Sequence, residues 1–269
     1  MVSSFSIVLM ALCAFLGVAV PIALAWWLVR KHKARWSVIL AGAAAFFIAA
    51  LVLESAVHQL VLNGPGGNAI LGNTLYYALY GGLMAGLFEE TARFLVMKYY
   101  LKKRVPDTVL PGVAYGVGHG GAEMLIIFGI GMVSSIVMAL MVNAGQTEAL
   151  IAKTPEASQA ALQAQIDQLV GTKPSALLIG IWERIAAIVL QIAQSVLVWT
   201  GVRKGGKWIW LFPLAILLHA VIDGGAVLLS KSVGMVPIEL IVTAEAVAVA
   251  ALAWLVARKA CQCPAPEGH

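Results

Sequence analysis

Apolar residues dominate long stretches of the chain, and short polar connections separate them. Seven such stretches are readable, at about 4–29, 36–62, 73–101, 109–142, 176–202, 208–230 and 236–257. A helical bilayer crossing needs about 20 predominantly apolar residues, so each is long enough to be a span. The fourth is over-long and reads as a helix that tilts or extends beyond the membrane. Barrel strands would give short alternating segments instead. The pattern therefore predicts an all-α polytopic membrane helix bundle of about seven transmembrane helices, forming one domain over residues 1–269.

Only the connector 143–175 is long enough to hold structure outside the membrane. Thr154, Pro155 and Glu156 form a helix start and Gly171 a stop. Between them Leu162, Ile166, Leu169 and Val170 recur at helical spacing, predicting a short amphipathic helix with one apolar stripe. It reads as a passive connector rather than a lid.

Composition agrees with the pattern. The chain has 269 residues, of which 61% are hydrophobic and 12% charged. So few charges could not cover a water-soluble surface. The net charge of +5 does not indicate nucleic acid, because the basic residues lie in short clusters beside the spans. Twelve fall at Arg30–Arg35, Lys102–Arg104, Arg203–Lys207, Arg258 and Lys259, against three (Lys153, Lys173, Lys231) on the other side. The positive-inside bias then places the N-terminus outside and the C-terminus in the cytoplasm of a multi-pass protein of the cell membrane. Trp26, Trp27, Trp36, Trp208 and Trp210 fall at the inner boundary as an aromatic belt. Ala23-Leu24-Ala25 imitates a signal-peptide cleavage site, yet no Lys or Arg precedes the apolar run, so it reads as a permanent helix. Cys13, Cys261 and Cys263 give no disulfide framework, and the last two read as an ordinary reduced pair.

Polar residues inside the spans are the unusual feature. Glu54, Glu89, Glu90, Glu123, Glu183, Asp223, Glu239 and Glu245 are joined there by Arg93, Arg184, His58, His119 and His219. A charged group costs on the order of 2.5–3.5 kcal/mol at a helix centre on insertion scales, so each needs a partner or a purpose. Glu89, Glu90, His119 and His219 all lie roughly 15–20 Å from the cytoplasmic ends of their spans, and Glu123 and Asp223 one turn further out. Three helices thus bring carboxylates and imidazoles to one layer. Glu183 and Arg184 lie further toward the outer half, within reach of that layer as a wall or a partner.

Local spacing suggests pairings. Arg93 lies four residues from Glu89 and three from Glu90, so either can pair with it. His119 with Glu123, and His219 with Asp223, are also four apart, each setting an imidazole beside a carboxylate. Such a carboxylate fixes the ring's tautomer and raises its basicity, which suits a metal ligand or an oxyanion donor. Gly82 and Gly86, and Gly112, Gly116 and Gly120, permit close helix approach around these residues. Glu54 and His58 share a face near the outer boundary, where water can reach them.

The segments "FEETAR", "YGVGHGGAE", "WERIAAIVLQIAQSVLV" and "LLHAVIDGG", between about Gly81 and Gly225, resemble the YhfC family of intramembrane metalloproteases. That family is distantly similar to the CAAX-type prenyl endopeptidases and bacteriocin-processing proteases. Their superfamily is marked by Glu-Glu-x-x-x-Arg, Phe-x-x-x-His and His-x-x-x-Asn/Asp on separate helices. Here the first motif is one residue short, from Glu89-Glu90 to Arg93, and Tyr115 replaces the Phe ahead of His119. His219 and Asp223 match the third motif.

The resemblance implies an intramembrane peptidase in which Glu89 or Glu90, with Glu89 favoured, activates a water that attacks a peptide carbonyl. His119 and His219 would stabilise the oxyanion or hold a divalent metal such as zinc. Glu123 and Asp223 would orient the histidines or complete the metal shell, with Glu183 as an additional ligand. Arg93 would keep a carboxylate ionised. A metal-free glutamate mechanism is equally compatible with the residues. The implied substrate is a membrane-embedded or lipid-anchored protein or peptide. Three other functions use similar residues: a proton-coupled transporter, a haem protein ligated by His119 and His219, and an inactive scaffold of the same family. No duplicated halves favour the transporter, and the flanking acids disfavour haem.

Overall fold

The computed structural model describes residues 1–262, and no strand occurs among them. Cys263, one half of the Cys-x-Cys pair, lies outside the described residues. Eight helices carry the architecture: α1 (Ser4–His32), α2 (Trp36–Leu62), α3 (Thr74–Leu95, extended through Val96–Leu101), α4 (Leu110–Asn143), α5 (Glu156–Gly171), α6 (Pro174–Lys204), α7 (Leu211–Leu229) and α8 (Met235–Gln262).

Local chemistry sets several of the ends. The Ser3 hydroxyl caps α1 by accepting from the Ser6 amide, and Asn73 caps α3 by accepting from Leu75 and Tyr76. Pro174 opens α6 at its first position, where a missing N–H costs nothing. Gly205, with φ +66°, follows its last turn. Three helices widen into π-helical turns, at Phe47–Glu54 in α2, Val96–Leu101 after α3 and Met124–Ile130 in α4.

Six of the described helical segments are long and apolar enough to cross a membrane: α1, α2, α4, α6, Gly206–Leu229 containing α7, and α8. The remaining predicted span, 73–101, holds a helix of comparable length over 74–101. Glu89, Glu90, Arg93 and Lys98 lower its hydropathy below that of the others. The chain is thus a polytopic helix bundle. Large apolar side chains such as Phe5, Phe15, Ile22, Leu240, Val247 and Trp254 are exposed on its outside, while Arg93, Glu90 and His119 are wholly buried. This inversion matches an oil-facing surface around a polar interior.

Two sets of contacts define the ends of the bundle. At one end the Val2 amide donates to the Asn143 side chain, whose own amide donates back to the Val2 carbonyl, both at 2.8 Å. At the other end Arg35 donates to the Arg104 carbonyl at 2.5 Å, and Arg203 pairs with Asp107 at 3.0 Å. The basic connections are therefore gathered at one end, where Trp26, Trp27, Trp36 and Trp210 are exposed.

Close helix approach runs through glycine. A Cβ on Gly82 would collide with the backbone of Ala220 and Gly224, and one on Gly86 with the Ile216 carbonyl, so α3 and α7 meet backbone to backbone. Gly116 and Gly120 similarly let α4 approach Ile192 and Gln191 of α6, and Gly42 lets α2 reach Tyr115 and His119.

Helix α5 packs on the C-terminal part of α4, with Ile166 and Leu169 buried and Leu162 half-buried. Two details of its sequence reading change. Val170 is exposed, because it lies beside rather than on the buried stripe. Pro155 holds the capping position without a side-chain bond, while the Thr154 hydroxyl turns back to the Leu150 carbonyl at 3.0 Å.

Candidate active site

The site begins with Arg93, a guanidinium with no exposed surface. Its Nη1 donates to Glu90 Oε1 at 2.5 Å and to Gln194 Oε1 at 3.3 Å, and its Nη2 donates to Gln191 Oε1. Glu90 is equally enclosed and also accepts from His219 Nδ1 at 2.9 Å. Glu90 and Arg93 thus form a buried ion pair beneath the site, which a low-dielectric interior tolerates only when hydrogen bonds complete it.

Glu89 does something different. Its Oε2 accepts from His119 Nε2 at 2.8 Å and from Gln191 Nε2 at 3.0 Å. The residue lines a cavity of about 310 Å³ between α6, α7 and α8. Glu123, Glu183, Arg184, His219, Asp223 and Glu239 share that lining. Of the two adjacent glutamates, Glu89 meets open space and Glu90 meets only protein.

His219 hangs over the same cavity from α7. Its Nδ1 faces Glu90, and its Nε2 lies 3.4 Å from Asp223 Oδ2 and 4.0 Å from Glu89 Oε2. His119 is fully buried on α4 and stacks on Tyr115, with ring centroids 6.1 Å apart, while Phe46 of α2 meets it edge-on at 5.3 Å. These rings fix the imidazole so that Nε2 points at Glu89.

Spacing along one helix holds for His219 with Asp223, Glu90 with Arg93 and Glu54 with His58, but one inferred pairing is replaced by contacts between helices. Glu123 does not pair with His119: its Oε1 accepts from Arg184 Nη1 at 3.0 Å and its Oε2 from Gln191 Nε2 at 2.8 Å. Arg184 also pairs with Glu183. Glu54 and His58 are satisfied by each other at 3.2 Å and by the Tyr80 hydroxyl on His58 at 2.9 Å, with Glu54 buried away from water. Glu239 lines the cavity, whereas Glu245 lies outside that lining. Gln191 and Gln194 were missed altogether. Gln191 holds the centre of the network, accepting from Arg93 and donating to Glu89 and Glu123. Its only signal in the sequence is an amide three residues from another amide, mid-span, without charge.

This arrangement stands beside a match to known proteins. A family model described as YhfC intramembrane metalloprotease matches residues 16–248. The chain belongs to the YhfC intramembrane metalloprotease family. It is also 37% identical over 234 residues, 87% of this chain and 88% of the relative, to a Bacillus subtilis (strain 168) protein described as "Uncharacterized membrane protein YhfC". No solved structure matches. As a YhfC family member with six long apolar helices, the chain is a multi-pass protein of the cell membrane.

The family description implies a metal. The predicted set of His119, Glu123, His219 and Asp223 does not converge. Both Glu123 oxygens are engaged by Arg184 and Gln191, and His119 Nε2 is engaged by Glu89. Among the described residues no three His, Cys, Asp or Glu side chains are grouped to hold an ion, and Arg184 takes one of the two Glu183 oxygens. In this arrangement the YhfC family member's residues do not fit a preassembled metal centre.

Proposed function

We propose that the chain is an intramembrane peptidase in which Glu89 is the general base. One observation carries the reading: Glu89 Oε2 is held by His119 and Gln191, while its other oxygen has no hydrogen bond among the described residues and the side chain borders the cavity. A carboxylate anchored on one oxygen and open on the other can take a proton from a water without losing its orientation.

The remaining groups fall into roles around it. Glu89 removes a proton from the cavity water, whose oxygen then bonds to the scissile carbonyl carbon. The oxyanion formed is met by His219 Nε2, a ring that can donate from both nitrogens only as an imidazolium, facing Glu90 on one side and Asp223 on the other. Glu89 returns its proton to the amide nitrogen as the carbon–nitrogen bond breaks. Arg93 and Glu90 act as positioning residues, neutralising each other and fixing Gln191 and His219. Helix α3 is taken as a seventh span with its charges turned inward, and the N-terminus and cavity as facing outside. The substrate is a membrane-embedded or lipid-anchored polypeptide.

The test uses purified protein in detergent micelles incubated with a mixed peptide library, followed by mass spectrometry. New termini should appear with wild type and be missing with Glu89→Gln. Termini of equal yield in both samples, or none with wild type, would overturn the proposal.

A further inference from the structure

The cavity has an acidic bias of which the catalytic scheme uses only a part. Five carboxylates line it, Glu89, Glu123, Glu183, Asp223 and Glu239, against one guanidinium, Arg184. That guanidinium is taken up by Glu123 and Glu183. No lysine is among the lining residues. Within this acidic wall Glu239 stands apart: it is 8% exposed, and its Oε2 has no hydrogen-bond partner. An unpaired buried carboxylate oxygen is costly, and a ligand that donates to it recovers that cost on binding. Glu239 lies in the second turn of α8, roughly 6 Å from that helix's start, and the more exposed side chains of Asp223 and Glu183 mark the cavity's mouth, with Glu89 more deeply buried.

We propose that this mouth binds a primary ammonium group of the substrate, with Glu239 as its principal acceptor and Asp223 and Glu183 around it. That the group belongs to a cleaved substrate rests on the peptidase reading; the binding itself does not. The three carboxylates come from three different helices, α8, α7 and α6. An ammonium with three rotatable donors suits such a scattered set better than the flat fork of a guanidinium. The group is either a lysine side chain or a polypeptide N-terminus.

Binding to detergent-purified protein tests this with two fluorescent probes, dansylcadaverine and its N-acetylated neutral form. Wild type should bind the free amine at least about tenfold more tightly, as expected for a charge-assisted hydrogen bond. Glu239→Gln, with its melting temperature checked, should lose that preference. Displacement by acetyl-lysine amide but not by alanyl-alanine amide would assign a lysine side chain, and the reverse an N-terminus. Equal binding of the two probes, or an amine preference that survives Glu239→Gln, would overturn the inference. A preparation that prefers the amine yet cleaves nothing would remove the peptidase reading and leave this site standing.

Discussion

His119 Nε2 lies 2.8 Å from Glu89 Oε2, reaching from α4 to α3 although Glu123 stands one turn along its own helix. On the proposed mechanism the imidazole serves the base, and the two should fail together. Glu89→Gln is expected to lower turnover by about 10²–10⁴-fold, the range for loss of a positioned general base. His119→Ala should lower it as well, and the double variant should be little worse than Glu89→Gln alone. Steady-state cleavage of one peptide from the library by all three proteins measures this.

Glu90 should behave oppositely to its neighbour. Removing its charge leaves Arg93 fully buried with only amide acceptors. Glu90→Gln should therefore cost about 3 kcal/mol of stability. A lowered melting temperature and poor accumulation in membranes are the expected readings, against near-normal melting for Glu89→Gln.

Gln191→Leu keeps the bulk of the side chain but removes the acceptor for Arg93 and the donor for Glu89 and Glu123. Each buried group left unsatisfied costs about 1–3 kcal/mol. Thermal unfolding should register the loss, and Gln191→Glu should not restore it, because a third carboxylate would face Glu89 and Glu123.

Adjacent glycines provide an internal control. Gly81 has open space where a Cβ would sit, whereas at Gly82 the added carbon would strike the Ala220 and Gly224 backbone. Gly82→Ala should cost about 1–3 kcal/mol by forcing α3 from α7. Gly81→Ala should leave melting and cleavage unchanged.

Orientation is open to a direct measurement. A cysteine placed at Gln165 should react with a membrane-impermeant thiol reagent applied to intact cells, while one at Lys103 should react only after lysis.

The spans were legible because a bilayer imposes length and apolarity on each one; boundaries such as Trp36–Leu62 lie where the hydropathy changes. The shared depth of Glu89, His119 and His219 was legible for the same reason. Partners were not. Spacing along one helix names only neighbours on that helix, and it held for His219 with Asp223. It failed for His119 and Glu123, because α3 offers His119 a carboxylate at 2.8 Å and the glycine-lined approach of α4 to α6 brings Gln191 to Glu123. Gln191 escaped notice because a neutral amide carries little penalty in a hydropathy profile, yet it has both a donor and an acceptor to join opposite charges.

The backbone contact between α3 and α7 carries a mechanical consequence. Glu89 rides on one helix and His219 on the other, with no side-chain cushion between them at Gly82 and Gly86. Base and oxyanion donor therefore travel as one stiff block. The wall formed by α8 holds neither, and it meets α7 only sparingly. On the proposed mechanism, a parting that admits a polypeptide from the lipid would fall along that seam, so the entrance could breathe while the chemistry stays in register.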